Sequence, residues 1–261
     1  MVDDSEVGKY WEQNAPAWTS LARAGFDISR DHHNTPAFLA NLPDVSGKLG
    51  LDLGCGDGHN TSLVAARRAR MVAIDIAPFF VRAARESFEH IPFLMASAVR
   101  LPFRSSTFDF ATAFMSLMDM PDRDSVLAEV NRVLKPQGFF QFSILHPCFV
   151  TTWRKKVFDH NGDLQAIEIA RYFDSVPGEI EEWIFSAAPE ELTASLAKFQ
   201  IPRFHATLSE WLNSLAKVGL FIEHAHEPRA DEETSQVFKG LADTRVAPYF
   251  LHLRCRKASH G

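Results

Sequence analysis

Three glycines at alternate positions, Gly54, Gly56 and Gly58, follow the apolar run Leu51-Asp52-Leu53 and precede His59-Asn60-Thr61. Glycine lets the backbone take φ > 0 and lets a ligand come close where a Cβ would obstruct it. A helix starting near His59 points its unpaired N–H groups and positive dipole end back at that loop. Strand, glycine turn and helix N-terminus together make a nucleotide-type cleft at the carboxyl edge of a parallel sheet. Asp75 closes a second apolar run, Met71-Val72-Ala73-Ile74, 21 residues after Gly54. An acid there can accept hydrogen bonds from both ribose hydroxyls of an adenosine-type ligand. The spacing departs from G-x-G-x-x-G, because His59 stands where that pattern wants Gly or Ala, which disfavours a pyrophosphate cradle.

His146 directly follows an apolar strand and precedes Pro147-Cys148. With an ordinary pKa near ~6.5, a histidine at a strand end can take a proton at neutral pH, or it can simply fix the turn that follows. His205, Tyr172 and His33 are further candidates for the acceptor side. Metal binding is not expected. His32 and His33 are chain neighbours that face different ways, and His224 and His226 lack a third ligand.

The elements that must position these groups alternate in type. An amphipathic helix over residues 8–20 carries Tyr10, Trp11 and Trp18, and a helix over Ala37–Leu42 follows the polar run 31–36. Strands are expected at Leu49–Leu53, Met71–Ile76, Pro92–Met95, Phe108–Met115 and Phe139–Leu145. Helices fall between them over Leu63–Arg70, from Pro78 to about His90, and after an Asp122 cap. Residues 146–206 break this rhythm and are too long for a plain connection. Their aromatics include Phe149, Trp153, Tyr172, Trp183 and Phe199, which suit either a pocket for a planar or apolar small molecule or a satellite core. Thr207 and Glu210 form a capping box for a further helix, and Leu220–His226 and Val246–Arg256 read as two last strands.

Composition narrows the class. The 261 residues hold 46% hydrophobic and 23% charged residues, ordinary for a globular domain. No apolar run reaches ~18 residues, so no membrane span is expected, and the acidic start lacks a signal-peptide layout. A net charge of −6 disfavours a nucleic-acid partner. The clusters Arg67–Arg70 and Trp153–Lys156 read as solvated faces, the first at a helix C-terminus. Three widely spaced cysteines, Cys55, Cys148 and Cys255, suit a reducing cytoplasm.

The run Leu51–Gly58 resembles motif I of the class I S-adenosylmethionine (SAM)-dependent methyltransferases, [DE]-x-G-x-G-x-G. Asp75 falls on that family's ribose-binding acid. Ala96–Phe103 with Ser106–Asp109 resembles its "GDA..LPF...FD" segment, and Leu127–Phe139 its "E..RVLKPGG" helix and turn. The four motifs cover roughly residues 48–145. The resemblance implies an α/β fold: a Rossmann-like, seven-stranded, mostly parallel sheet with its last strand antiparallel, helices on both faces, and a cap inserted after the fifth strand. It implies one domain over 1–261. Lid helices would span 1–45, the SAM-binding core 46–145, the cap 146–206, and a helix with a strand hairpin 207–257.

The implied activity is methyl transfer from SAM to an O or N atom of a small, aromatic or apolar molecule, leaving S-adenosylhomocysteine. The implied cofactor contacts are Tyr10, Trp18, Asp52, Gly54, Cys55, Gly56, Asp75, Ile76, Ser97, Ala98, Phe114 and Met115. Ser97 stands where the family usually has Asp, so a hydroxyl or the Ala98 N–H must meet the adenine. His33, Met118, Tyr172, Trp183 and His205 would line the acceptor pocket, with His146 as general base. A cytoplasmic monomer or homodimer without nucleic-acid or membrane partners is expected. A macromolecular acceptor (tRNA or protein) and a non-catalytic SAM-binding module remain as alternatives, with an NAD-dependent oxidoreductase as a distant fourth.

Overall fold

The structure is a computed structural model that describes residues 2–174 and 176–258; Met1, Ser175 and residues 259–261 lie outside it. Its centre is a seven-stranded sheet of order β10-β11-β5-β4-β1-β2-β3. The strands are β1 (Leu49–Leu53), β2 (Arg70–Asp75), β3 (Phe93–Met95), β4 (Phe108–Phe114), β5 (Leu134–Leu145), β10 (Leu220–His226) and β11 (Phe250–Lys257). β1 pairs in parallel with β2 and β4, whereas β11 runs antiparallel to both β5 and β10. β1 and β4 are nearly continuous apolar runs because both faces are covered. Phe108, Phe110, Phe140 and Phe142 are wholly buried across the two faces.

Helices α3 (His59–Ala65), α4 (Pro78–Ser87), α5 (Arg123–Val133) and α7 (Leu208–Lys217) connect or cover the strands. α4 opens with proline at its first position, α5 is capped by Asp122, which accepts from Ser125 N–H, and α7 carries the Thr207–Glu210 capping box. α3 ends five residues before the expected Arg70 (70 against 65), and Arg68 turns left-handed at φ +65°. The Arg67–Arg70 cluster is therefore a tight turn feeding β2, not a helix end. β11 begins at Phe250 rather than Val246, after the short helix α8 (Glu232–Val237) and a 3-10 turn over Lys239–Arg245.

Helix α1 (Asp4–Arg23) runs longer at both ends than residues 8–20, because Asp3 and Glu6 form a capping box at its start. A π-helical turn, Arg30–Asn34, leads into α2 (Thr35–Ala40). Residues 146–206 contain two antiparallel hairpins, β6 (Trp153–Phe158) with β7 (Leu164–Ala170) and β8 (Glu179–Trp183) with β9 (Phe199–Arg203), plus the single turn α6 (Glu190–Thr193). α1 and β9 are tied by a reciprocal pair: Asn14 Nδ2 donates to Gln200 O at 2.9 Å, and Gln200 N–H to Asn14 Oδ1 at 3.2 Å. No helix among the described residues is long and apolar enough to cross a membrane.

Candidate active site

β1 ends at the glycine loop and β2 ends at Asp75, side by side in the sheet. Gly54 takes φ +67°, and a Cβ there would sit 2.5 Å from Ser116 Cβ, so both space and conformation require glycine. Gly56 takes φ +54°, with nothing within 4 Å of where its Cβ would point: the loop faces open space. Asp75 pins the loop, since Oδ2 accepts from Gly56 N–H and Oδ1 from Ala77 N–H, each at 2.9 Å. Each carboxylate oxygen keeps a further lone pair for a ligand hydroxyl. Burial pushes the Asp75 carboxyl up to about 6 against these N–H donors. Asp52 lies beneath, accepting from Thr61 Oγ1 at 2.5 Å and Thr112 Oγ1 at 2.8 Å, which ties α3 and β4 to β1. Burial likewise raises its pKa to about 6.

One cavity of about 580 Å³ opens over this edge. Its first wall is the glycine loop, Asp75, Ile76, Ala98, Phe114 and Met115, with Trp11, Trp18 and Phe80 facing from α1 and α4. Trp18 packs edge-on against Phe80 at 5.4 Å. The opposite wall comes from Met118 and Asp119 after β4, from Thr151, Arg154, Glu181, Trp183 and Arg203 of the 146–206 segment, and from Tyr249. Arg203 is gripped there by two carboxylates, closely by Asp119 and at 2.8 Å by Glu181 Oε2. His205 Nε2 holds the other Glu181 oxygen at 2.9 Å. Such a buried, fully engaged network is costly to disturb.

The sequence-predicted residues divide. Trp18, Asp52, Gly54, Cys55, Gly56, Asp75, Ile76, Ala98, Phe114, Met115, Met118 and Trp183 all line the cavity. Tyr10 does not; Trp11, the next residue, does, because successive helical side chains diverge by about 100°. Ser97 also stays off the wall, and its Oγ accepts from Val99 N–H at 3.1 Å, capping its own turn. Tyr172 and His205 border a separate recess of about 30 Å³ that shares Met118, Leu145, Val150, Thr151 and Arg203 with the main cavity. The Tyr172 hydroxyl is used there, accepting Leu208 N–H at 2.8 Å. His33 is buried against Phe250, 5.7 Å between rings, outside the cavity lining.

The sequence leaves His146 as either a general base or the residue that fixes the turn after β5. It does not line the cavity. Its Nδ1 accepts from Cys148 N–H at 3.1 Å, which leaves the ring proton on Nε2, and Nε2 donates to Glu227 Oε1 at 2.7 Å. No lone pair is left for a substrate proton. Burial lowers its pKa against the pull of Glu227. It fixes the turn after β5.

Three arginines on the cavity wall, Arg30, Arg154 and Arg203, are not marked by the sequence as site residues. Arg30 is over nine-tenths buried; Nε donates to Asp31 Oδ1 at 2.7 Å and Nη2 to Ala22 O at 3.1 Å, while Nη1 has no partner. Nothing in its local sequence marks it. Arg154 belongs to the cluster taken for a solvated face, yet its side chain is only 12% exposed and reaches Asp243 at 2.9 Å. The run Trp153-Arg154-Lys155-Lys156 does not distinguish Arg154 from its neighbour Lys155, which is 65% exposed.

Residues 51–142 match the methyltransferase domain family. A malonyl-[acyl-carrier protein] O-methyltransferase of Methylovorus sp. is 32% identical over 158 residues, 56% of this chain and 52% of the relative. A trans-aconitate 2-methyltransferase of Methylobacterium radiotolerans is 32% identical over 113 residues, 41% of this chain and 43% of the relative. The chain thus matches about half or less of the length of these relatives. A SAM-dependent methyltransferase structure from Mesorhizobium loti superimposes with a TM-score of 0.68 at 24% identity, covering 85% of this chain and 96% of the other. Motifs, family match and strand order agree: residues 51–142 match the methyltransferase domain family, and most of the chain shares the fold of the SAM-dependent methyltransferase structure.

Proposed function

We propose that this protein transfers a methyl group from SAM to a small-molecule acceptor enclosed beneath the 146–206 segment. The observation that carries this reading is the cavity of about 580 Å³, whose two walls belong to the glycine-loop edge of the sheet and to that segment. The residues fit the cofactor. Gly56 leaves open space where a ligand backbone approach is needed, Asp75 has lone pairs for a ribose, and the unpartnered, buried Arg30 Nη1 suits the cofactor's carboxylate. When bound, SAM supplies a methyl already activated on a sulfonium sulfur.

The chain's own part is then to hold and exclude. Asp75 anchors the ribose, Trp11 and Trp18 present aromatic faces that attract a sulfonium, and Ala98 borders the adenine side. Met118, Trp183 and the Arg203 network shape the acceptor space and keep water out, so that the nucleophile is held in line at ~3–3.5 Å. His59 is the one histidine on the cavity wall among the described residues, and it sits at the start of α3 beside Asp31. Acceptor deprotonation by His146 is no part of this scheme. The working division is a lid over 1–45, a SAM-binding core over 46–145, a cap over 146–206 and a C-terminal helix and hairpin over 207–257. The free thiols of Cys55, Cys148 and Cys255 favour a reducing cytoplasm.

The relatives are named for acceptors as different as trans-aconitate and malonyl-[acyl-carrier protein], so the acceptor itself is not transferred from them. A thermal-shift panel with SAM, S-adenosylhomocysteine, NAD and ATP tests the reading. At ~100 times its dissociation constant a ligand adds about 2.7 kcal/mol to the folded state. Stabilisation by SAM and S-adenosylhomocysteine but not NAD is the expected result; stabilisation by NAD alone refutes it.

A further inference from the structure

The acceptor wall carries two arginines in unequal circumstances. Arg203 is matched by two carboxylates, Asp119 and Glu181. Arg154 has only Asp243, which it shares with Lys156 at 3.3 Å, so two cations stand on one buried carboxylate. Arg154 Nε donates to Phe149 O at 3.1 Å and Nη1 to Asp243 Oδ2, but Nη2 is buried with no partner. Its guanidinium lies 5.2 Å from the ring centre of Tyr249. No described protein group hydrogen-bonds the Tyr249 hydroxyl, although both residues line the cavity. Buried donors are nearly always satisfied, and a charged one left open is expensive. A cation that shares its carboxylate with a lysine and keeps a spare N–H, on the same cavity wall as a spare phenol O–H, offers two donors to an anion. Trp183 and Phe250 add aromatic surface to this wall beside the Arg203–Asp119–Glu181 network.

We propose that Arg154 and Tyr249 form an anion subsite that docks a carboxylate of an aromatic or apolar methyl acceptor. This rests on the methyltransferase reading, and it makes the acceptor an organic acid rather than an amine or a neutral phenol. Arg154 and Tyr249 set specificity by anchoring the acid; the Arg203 network keeps the neighbouring wall electrically closed.

The test is calorimetric titration of phenylacetate, phenylacetamide and 2-phenylethylamine, with and without saturating S-adenosylhomocysteine. Wild-type protein should bind phenylacetate at least about tenfold more tightly than the isosteric amide, the scale of one charge-assisted hydrogen bond. Arg154→Gln should abolish that preference and Tyr249→Phe should reduce it several-fold, while the dissociation constant for S-adenosylhomocysteine stays within about twofold in both. Tyr249→Phe keeps the ring packing, so the proposal stays exposed even if Arg154→Gln folds poorly after losing its hold on Asp243. Equal binding of acid and amide, preference for the amine, or a preference that survives both substitutions overturns the subsite. Failure of wild-type protein to bind S-adenosylhomocysteine would refute the methyltransferase reading, and the arm without it still reads the anion subsite.

Discussion

The glycine-loop wall of the cavity hangs on β1, β2 and β4, strands buried at the centre of the sheet, and its carboxylates are held by neutral hydrogen bonds from backbone N–H groups and threonine hydroxyls. Gly56 and Ala77 N–H groups clamp Asp75, and Thr61 and Thr112 clamp Asp52. The acceptor wall hangs on β6, β8 and β9, strands of two-stranded sheets with exposed faces, and its groups are held by side-chain ion pairs. Phe158 and Phe173 of that segment are 56% and 84% exposed, where β4 and β5 bury every phenylalanine. A rigid backbone cradle suits a constant ligand. A small satellite built on side-chain pairs can be re-specified by few substitutions without endangering the sheet, which suits a variable acceptor.

That contrast can be broken first at Gly54. Gly54→Val forces a β-branched side chain into a left-handed φ and against Ser116. It should cost about 2–3 kcal/mol of stability and abolish S-adenosylhomocysteine binding, read by thermal melting and calorimetry. Asp75→Ala should leave the fold in place and weaken S-adenosylhomocysteine by about 10–100-fold, through the loss of charged acceptors for ribose hydroxyls. The wild-type pH profile sharpens this. With the Asp75 pKa at about 6, the carboxyl protonates as pH falls through that value, so affinity should drop below it and binding there should release protons. The same raised pKa acts oppositely on folding. Between the ordinary 3.8 and about 6 the native state holds more protons than the unfolded chain, so Asp75's contribution to stability declines as pH rises and is flat above about 6.

His146→Gln should cost about 1–2 kcal/mol through the lost Cys148 and Glu227 bonds, with the pH dependence of turnover unchanged. A turnover profile that lost its acid limb would restore the histidine as a base. The smallest effect is expected at Phe173→Ser, within about 0.5 kcal/mol in melting and without change in S-adenosylhomocysteine affinity.

The two walls also differed in legibility. Strand, glycine loop and Asp75 lie close together in sequence, and the physics that shapes them is local, so the loop and its acid could be read from the chain, while the seven-stranded, mostly parallel sheet followed from the family resemblance. Where that reading slipped, a short-range detail decided: Ser97 turned to cap its own backbone, and Tyr10 yielded to its helical neighbour Trp11. The acceptor wall is made by partners far apart in the chain, Arg154 with Asp243 and Arg203 with Asp119. No local pattern announces such pairs, so Arg154 looked like part of a solvated basic run. The sequence leaves His146 between a base and a turn-fixing residue for the same reason, because its partner Glu227 lies 81 residues away.

The central claim, that the glycine loop and Asp75 hold the adenosyl cofactor, is tested most directly by titrating S-adenosylhomocysteine into wild-type and Asp75→Ala protein by calorimetry at neutral pH. Saturable one-site binding, weakened at least tenfold by the substitution while the melting curve keeps its shape, is the predicted result. Equal affinity in both proteins, or no binding to the wild type, would contradict it.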